Sequence, residues 1–581
     1  MKLHRGVTYF ALAVLLSVLV TWTGCARSDE IRREVDWVIG QGLRSSLSGG
    51  EPAPFPCADE TRFSRRVRAG EELVAEIAPL GRDGRWVLSG CRRGESTGAL
   101  QLAAWSGDSL LLEESLPLAG TEGWWHHEVD LSGYSGKPLR LVLRADFEGP
   151  RRLFLSDFRL QHRLAVPPVS PPERSPVLLI SVDTLRHDRA ARMASLERLA
   201  ADGEVFAPHY AAASWTKPSH GALLTGRLAA LGPTADPEGV LPAEVETLAE
   251  RFRAAGYRTA GLVYDCTWLD PKFGFDRGFE SYRTVRWRTA PLVREALDWI
   301  TDHRGEPFFY FLHTFEPHSD HARLPYEGQG VTAATVEERF GVPGYGCRQA
   351  TCAAGLLEGL ERGRIAPLPE EPEILRFLYD AGVAATDEAL GHLFDRLREL
   401  GLYDAMTIVV TSDHGELLFE HGELTHGKWW EEVVRVPLII KWPASGERAG
   451  RVNEVPSSAI DLVPTLLAKT GLPGNDLDGV DLQTRRADRP VTTGVQWRTV
   501  RVENLKAIFP LDEPPRLYDL AADPGEANDL APGRPEAVDK MRELLEKTRA
   551  SAQPIPEAES ERAPLSEEEK ARLRALGYLG G

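Results

Sequence analysis

The chain has 581 residues, 42% of them hydrophobic, and a formal net charge of -18 at pH 7. This length allows two or three domains, each with a sizeable core. The acidic balance argues against a nucleic-acid partner, because a phosphate backbone is bound mainly by Lys and Arg. An anionic small substrate is still allowed, since a binding site can be locally positive inside an acidic protein.

Residues 1–25 have the pattern of an export signal. A basic start at Lys2 and Arg5 is followed by an apolar run at 7–22 and by small residues before Cys25. This order of regions is typical of a secretory signal, and a cysteine at the cleavage point resembles the bacterial lipoprotein signal. A plain cleaved signal and an uncleaved anchor are the alternatives, although a membrane span needs roughly 20 apolar residues. We therefore expect a lipoprotein of the bacterial cell envelope, attached to the membrane if Cys25 is lipidated.

A tether and a small β domain are predicted next. Residues 26–50 are polar and become rich in Gly and Ser, which favours a tether. Residues 51–163 contain short β-like runs at regular spacing, which predicts a β-sandwich domain. The tryptophans of this domain could stack on a sugar, but filling the core is the commoner use of buried aromatic side chains. The clearest predicted strands are 99–105, 110–116, 124–131, 139–145 and 153–160.

Residues 164–176 contain five prolines and are predicted to form a semi-rigid linker. In residues 177–550, buried strand patterns alternate with helical patterns, which predicts an α/β catalytic domain with a mainly parallel sheet flanked by helices. Residues 551–581 are predicted to be a tail with a short helix. Ligands of such sheets bind at the carboxyl ends of the strands. The predicted strands are 177–182, 259–264, 308–313, 407–411 and 438–441, and the predicted helices include 247–255, 292–302, 374–400 and 462–470.

Two of these strands end in residue types that bind metal ions. Asp183 directly follows the strand 177–182, and Asp413 and His414 follow the strand 407–411. A carboxylate and an imidazole together suit a divalent metal ion. Either motif alone could be a turn that caps a strand, but two such strands at one edge of a sheet favour a metal site. Calcium, magnesium and manganese are all consistent with these ligands.

Thr216 is the candidate nucleophile. Pro218 suits the first turn of a helix, which we predict to run from about Pro218 to Thr225 and to stop at Gly226. Thr216 then lies just before the positive end of the helix, where an anionic group meets free backbone N–H groups. A hydroxyl ionised by a nearby metal ion can attack phosphorus or sulfur. The alternative is that Thr216 only caps the helix.

The segment 216–227 and several other motifs occur in the order found in one known family. In the segment 216–227 the matching positions are Pro218, Ser219, Leu223, Thr225, Gly226 and Arg227. Over roughly residues 176 to 550 the chain resembles the sulfatase family, within the alkaline phosphatase superfamily. The other motifs that carry this resemblance are Asp183-Thr-Leu-Arg186, His313-Thr-Phe-Glu-Pro-His318, Thr411-Ser-Asp-His-Gly-Glu416, Glu420-His-Gly422, His426-Gly-Lys428, Glu432 and Val436-Pro-Leu438.

The resemblance implies a single divalent metal ion. Its ligands would be Asp183, Thr216, Asp413 and His414, by position in the motifs. Many sulfatases have a second Asp after the first one, as a calcium ligand, and here Thr184 stands in its place. One metal ion is therefore favoured over a two-metal site.

The resemblance also implies three further catalytic candidates. His318 would donate a proton to the leaving oxygen, and Lys428 would hold a non-bridging oxygen of the substrate. His220 would either contact the substrate or only cap the helix, and both interpretations stay open. His313 is interpreted as a supporting residue.

Two departures from the family pattern bear on the chemistry. In sulfatases a Cys or Ser is oxidised to formylglycine during maturation, but oxidation of Thr216 would leave a ketone, and the family's Arg that supports the aldehyde hydrate is His220 here. Relatives with a threonine nucleophile act on phosphorus. We therefore expect an exported hydrolase of sulfate- or phosphate-type esters, favouring phosphodiesters or phosphonate esters carried on a glycan or lipid. An envelope phospho-headgroup transferase and a catalytically idle binding protein are the alternatives.

Overall fold

The computed structural model describes residues 174–570 apart from short gaps, and before residue 174 mainly the strands. The predicted signal at 1–25, most of the linker at 164–176 and the end of the tail after residue 570 lie outside the described residues. The chain divides into two compact units after Pro167. The gaps after residue 174 are 229–230, 287, 320–323, 327, 329–330, 346–353, 444–447, 475, 495–498, 512, 554–561 and 568–569.

The first unit consists of two antiparallel sheets, as expected for the predicted β domain. These sheets include Glu34–Val35 and Arg44–Ser45, which lie in the segment 26–50 that was predicted to be a tether. In the strand Gly98–Ser106, Leu100, Leu102 and Ala104 are buried and the residues between them are less buried, as expected for a sheet with one face toward a core. One sheet has the order Ala53–Cys57, Glu60–Val67, Leu153–Arg163, Arg85–Gly94, Trp125–Asp130, with Glu34–Val35 also paired to Leu153–Arg163. The other has the order Arg44–Ser45, Glu72–Ile77, Leu139–Phe147, Gly98–Ser106, Ser109–Pro117.

The second unit is built on an eight-stranded, mainly parallel sheet, as predicted. The central strand Val177–Val182 pairs in parallel with Phe308–Thr314 on one side and with Thr407–Thr411 on the other. The predicted strands agree with the observed ones to within one residue at each end, because they are continuous apolar runs bounded by turn residues. The full order is Ser281–Val285, Arg258–Tyr264, Phe308–Thr314, Val177–Val182, Thr407–Thr411, Leu438–Lys441, Glu204–Phe206, Arg451–Asn453.

Helices cover both faces of this sheet. Alternate residues of the central strand point to opposite faces: Ile180 belongs to the core that includes Leu378 of the long helix Glu371–Glu399, and Leu179 to the core that includes Leu223. The helices are His187–Ala190, Ala194–Asp202, Thr216–Thr225, Leu231–Ala235, Leu248–Ala254, Thr289–Asp302, Ala333–Phe340, Ala354–Glu361, Glu371–Glu399, Glu431–Val434, Leu462–Thr470 and Pro535–Ser551.

Smaller sheets complete the second unit. An antiparallel sheet near the C-terminus has the order Val491–Thr493, Thr499–Val502, Leu505–Ile508, Arg516–Asp519, and the helix Pro535–Ser551 packs on it. Arg435–Val436, His209–Tyr210 and Ser457–Ser458 form a three-stranded sheet, and Leu417–Leu418 pairs with Leu424–Thr425. Within the described residues, none of the helices has the length and apolar character needed to cross a bilayer.

Candidate active site

The carboxyl ends of two neighbouring strands bring three metal-binding side chains together. Asp183 follows the central strand, and Asp413 and His414 follow the strand beside it. The Nε2 atom of His414 lies 3.7 Å from Oδ1 of Asp183 and 3.3 Å from Oδ2 of Asp413. One ligand atom from each of these buried residues lies within 4.8 Å of the others. The arrangement follows from parallel pairing, which places both strand ends at one edge of the sheet.

The chemistry of these groups fits a divalent cation. Burial and the nearby charge of Asp183 raise the pKa of Asp413 to about 7, while burial lowers the pKa of His414 to about 4 and keeps its imidazole neutral. Within the described residues, Oδ2 of Asp413 accepts no hydrogen bond. Two buried carboxylates are costly without a compensating positive charge. A hard divalent ion would supply that charge, and Asp183, Thr216, Asp413 and His414 are the residues that would hold it.

Thr216 is the first residue of the helix Thr216–Thr225. Its hydroxyl faces Asp183, Asp413 and His414, which we call the ligand group. Its Oγ1 donates to Oδ2 of Asp183 at 3.4 Å and lies 3.4 Å from Nε2 of His414. The N-cap position belongs to Trp215, which is extended and makes no side-chain cap. Thr216 is therefore not merely a helix cap. The helix ends at Gly226, whose left-handed φ of 69° suits a residue without a Cβ atom.

Two histidines contact Asp183 from the end of the strand Phe308–Thr314. Nε2 of His313 lies 3.0 Å from Oδ2 of Asp183, so this imidazole orients a carboxylate of the ligand group. The supporting role predicted for His313 agrees with this contact. Nε2 of His318 lies 3.8 Å from Oδ1 of the same carboxylate, and its ring stacks on Phe315 with centroids 3.9 Å apart. These contacts place the buried ring of His318 beside the ligand group.

His220 lies behind the nucleophile, on the same helix. Its Nδ1 is 2.9 Å from the carbonyl oxygen of Thr216, and its Nε2 is 2.9 Å from Oγ of Ser181. Nδ1 also lies 3.5 Å from Oδ2 of Asp413. Burial lowers the pKa of His220 to about 4, so the ring is neutral. Because both ring nitrogens contact the protein and the side chain is fully buried, His220 supports the backbone of Thr216 and does not face a substrate.

Lys428 pairs with two glutamates in the structure. Its Nζ lies 3.9 Å from Oε1 of Glu361 and 3.8 Å from Oε2 of Glu423, and its side chain is 40% exposed. The side chain two residues earlier, His426, is only 6% exposed. Between them Gly427 has a left-handed φ of 88°. His426 is therefore buried, while Lys428 is half-exposed beside two carboxylates, and the predicted contact of Lys428 with a substrate oxygen stays a prediction.

His426 and its partners are the part of the site that the sequence did not identify. The ring of His426 lies beside those of His414 and His318, with centroid distances of 4.5 and 5.1 Å. Its Nδ1 is 2.8 Å from Oε2 of Glu416, whose other oxygen accepts from the hydroxyl of Tyr326 at 2.7 Å. His426 belongs to the same motif as Lys428, but Tyr326 follows no pattern in the sequence. Together they fix the orientation of the His426 imidazole beside His414 and His318.

The raised pKa of Asp413 predicts a pH-dependent effect of metal on stability. In the metal-free fold the protonated form of Asp413 contributes stability, and this contribution is lost as the pH rises through about 7. A metal ion requires the carboxylate and displaces that proton. His414 is neutral with or without metal, because its pKa is lowered to about 4. The stabilisation gained from metal should therefore increase between about pH 5.5 and pH 7.5.

The measurement is the difference in Tm between the protein with excess Mn²⁺ and the metal-free protein, across this pH range. Buried groups outside the site serve as an internal control. Burial lowers the pKa of His209 to about 3, and its contribution is the same in both forms and cancels in the difference. A difference in Tm that is constant or shrinks as the pH rises would contradict the assignment of Asp413 as a ligand.

The comparisons with known proteins agree with this geometry. A family model described as Sulfatase matches residues 177–472, which is half of the chain, and the chain therefore belongs to the sulfatase family. It is 27% identical over 301 residues to the multifunctional alkaline phosphatase superfamily protein PehA of Trinickia caryophylli, covering 44% of this chain and 57% of the relative. It is 31% identical over 192 residues to an N-acetylglucosamine-6-O-sulfatase of Bacteroides thetaiotaomicron, covering 29% of this chain and 34% of the relative.

A solved structure shows the same fold. The phosphonate monoester hydrolase of Agrobacterium radiobacter superimposes with a TM-score of 0.54 at 22% identity, over 65% of this chain and 96% of that protein. Both sequence relatives are matched over less than two thirds of their own length. The residues matched by the family model, 177–472, include Asp183, Thr216, Asp413 and His414.

Proposed function

We propose that the protein is a metal-dependent hydrolase of sulfate- or phosphate-type esters, with Thr216 as nucleophile and with phosphodiesters or phosphonate esters as preferred substrates. The observation that carries this proposal is the position of the Thr216 hydroxyl. It lies 3.4 Å from both a carboxylate oxygen of Asp183 and Nε2 of His414. A helix cap or an idle remnant gives no reason for a buried hydroxyl to point into a group of metal-binding side chains.

The residues of the site have complementary roles in this reaction. A bound divalent ion would favour the ionised form of the Thr216 hydroxyl and offset negative charge on the ester. The Thr216 hydroxyl gives up its proton to water, its oxygen forms a bond to phosphorus, and the bond from phosphorus to the leaving oxygen breaks. His318 donates a proton to that oxygen. A water molecule then attacks the phospho-threonine and passes a proton to His318, which restores its charge. The bond from phosphorus to the Thr216 oxygen breaks, the acid product leaves, and the Thr216 oxygen takes up a proton from water.

The preference for phosphorus rests on two residues. A formylglycine aldehyde cannot form from Thr216, because its Cβ atom carries a methyl group. His220 replaces the arginine that supports the aldehyde hydrate in sulfatases, and both of its ring nitrogens already contact Thr216 and Ser181. A direct attack by the threonine oxygen needs neither group. Such an attack is the ordinary mode of phosphoryl transfer to an enzyme hydroxyl.

A turnover screen of the purified protein tests this function. The substrates are an aryl phosphate diester, an aryl phosphonate monoester and an aryl sulfate, each with and without Mn²⁺. We expect metal-dependent release of the aryl alcohol from one or both phosphorus esters at a higher kcat/KM than from the sulfate. Thr216→Ala prepared in parallel reports any contaminating enzyme. A higher kcat/KM for the sulfate would contradict the preference, and wild-type turnover with Mn²⁺ that exceeds the Thr216→Ala background for none of the three esters would contradict the function.

We also propose that the substrate is an anionic ester on a glycan or lipid and that the protein acts in the cell envelope. The name of the N-acetylglucosamine-6-O-sulfatase supports a glycan ester, and the signal-like residues 1–25 support export. Mass spectrometry of the mature N-terminus should find a lipid-modified Cys25 as the first residue. An unmodified start at another position would contradict the lipid anchor and leave export standing.

A further inference from the structure

The turn that carries Asp183 has an unusual backbone conformation. The amide of Leu185 donates to the carbonyl oxygen of Val182 at 3.3 Å, which closes a tight turn over Asp183 and Thr184. Thr184 lies in the left-handed region, with a φ of 58°. This conformation is rare for a β-branched residue, and it persists only where the surrounding structure maintains it.

The same residue contacts the ligand group. The backbone N–H of Thr184 donates to Oδ1 of Asp413 at 3.4 Å, and its hydroxyl donates to the carbonyl oxygen of Asp183 at 2.7 Å. A change in the conformation of Thr184 would therefore move a donor to one carboxylate and the backbone of the other. The conformation of this one residue couples both acidic ligands.

A tyrosine outside the sequence motifs forms hydrogen bonds to the backbone of Thr184 and Arg186, in the second half of the turn and just after it. Tyr379 is fully buried on the helix Glu371–Glu399. Its hydroxyl donates to the carbonyl oxygen of Thr184 at 2.7 Å and accepts from the N–H of Arg186 at 3.0 Å. Its ring packs edge to face on Tyr326, with centroids 5.7 Å apart. The hydroxyl and the ring thus have separate contacts, and the hydroxyl can be removed without removing the packing of the ring.

We propose that Tyr379 is a positioning residue of the metal centre. Its hydroxyl maintains the left-handed conformation of Thr184, and this conformation sets the positions of Asp183 and Asp413 relative to each other. Tyr379 acts through the backbone, since its hydroxyl bonds to Thr184 and Arg186. The inference rests on the proposed metal site, so its test measures metal binding and not turnover.

The test is calorimetric titration of the full chain with Mn²⁺, for the wild type and for Tyr379→Phe. We expect the Kd for Mn²⁺ to rise about 10- to 100-fold, as is typical when a partner that orients a metal ligand is lost. Tyr345→Phe is the matched control, because it removes another buried tyrosine hydroxyl, which donates to Glu371 at the start of the same helix. That variant should keep the wild-type Kd even if its Tm falls.

A second pair of variants separates positioning from a general loss of stability. In the Tyr379→Phe background, Thr184→Gly should restore most of the lost affinity, because glycine adopts a positive φ without strain and keeps the N–H that contacts Asp413. Thr184→Ala removes the same hydroxyl but keeps the Cβ atom, and it should not restore the affinity. Equal Kd values for the wild type and Tyr379→Phe would overturn the inference, as would equal Kd values for the glycine and alanine variants. A wild type that binds no Mn²⁺ would instead overturn the metal site itself.

Discussion

Replacing Thr216 by Ala should lower kcat by about three orders of magnitude or more, since it removes the attacking oxygen and one proposed metal ligand. Thr216→Ser should keep appreciable activity, because the hydroxyl stays and only a methyl group is lost. The measurement is kcat and KM on the best phosphorus ester, with metal content determined for each variant. The alanine variant should also fold normally, because the hydroxyl contacts the ligand group and not the helix backbone.

Thr225→Val is a matched control for this prediction. Thr225 is buried at the other end of the same helix, and its hydroxyl donates to the carbonyl oxygen of Gly221 at 2.6 Å. Its replacement by Val removes a threonine hydroxyl while keeping the shape of the side chain, and it should leave kcat unchanged in the folded protein. Near wild-type turnover by Thr216→Ala would mean that water attacks the ester directly, and the role of Thr216 as nucleophile would then be wrong.

The second large effect is expected from the metal ligands. Asp413→Asn and His414→Ala should each abolish bound metal and turnover, because each removes one of the few ligands that this buried site offers. Asp413→Asn should not destabilise the metal-free protein, since burial and the charge of Asp183 already raise the pKa of Asp413, and a neutral amide avoids both the cost of a buried charge and the repulsion. A loss of metal in this variant can therefore be separated from unfolding by comparing its Tm with that of the metal-free wild type.

Glu432→Gln is the control for the ligand variants. Glu432 belongs to a second group of side chains with metal-ligand spacing, together with His421 and Glu526. Its Oε2 lies 3.4 Å from Nε2 of His421, and Oε1 of Glu526 forms an ion pair with Lys506 at 2.6 Å. The Gln variant should keep stoichiometric metal and full activity. Stoichiometric metal with full activity in Asp413→Asn would contradict the site, and loss of metal in Glu432→Gln would move it to the second group.

The sheet and its functional edge could be predicted because they depend on local patterns. Buried parallel strands are continuous apolar runs, and Asp183, Asp413 and His414 directly follow two of them. A local signal also placed Thr216 next to the start of a helix, since Pro218 suits a first turn. In each case the information lies within a few residues of the chain, so that pattern and spacing are sufficient.

The missing parts of the site depend on contacts between distant segments. Tyr326 lies between the strand Phe308–Thr314 and the helix Ala333–Phe340, and Tyr379 lies in the helix Glu371–Glu399. Neither belongs to a recognisable motif, and only the fold brings them to the site. His426 is buried and Lys428 is half-exposed on the two sides of Gly427, a difference that their spacing in the sequence does not show. The sequence placed His220 in the helix, but it could not identify its partner Ser181, which lies on the central strand Val177–Val182.

The most direct test of the proposed chemistry is to trap the covalent intermediate. The wild-type protein with Mn²⁺ is mixed with an aryl phosphonate or phosphodiester substrate, quenched with acid within the first turnover, digested and analysed by mass spectrometry. We predict that the peptide containing Thr216 gains the mass of the transferred phosphoryl or phosphonyl group, and that the same mass appears with Thr225→Val, which should keep the wild-type kcat. First-turnover release of the aryl alcohol with every Thr216 peptide unmodified would contradict the account.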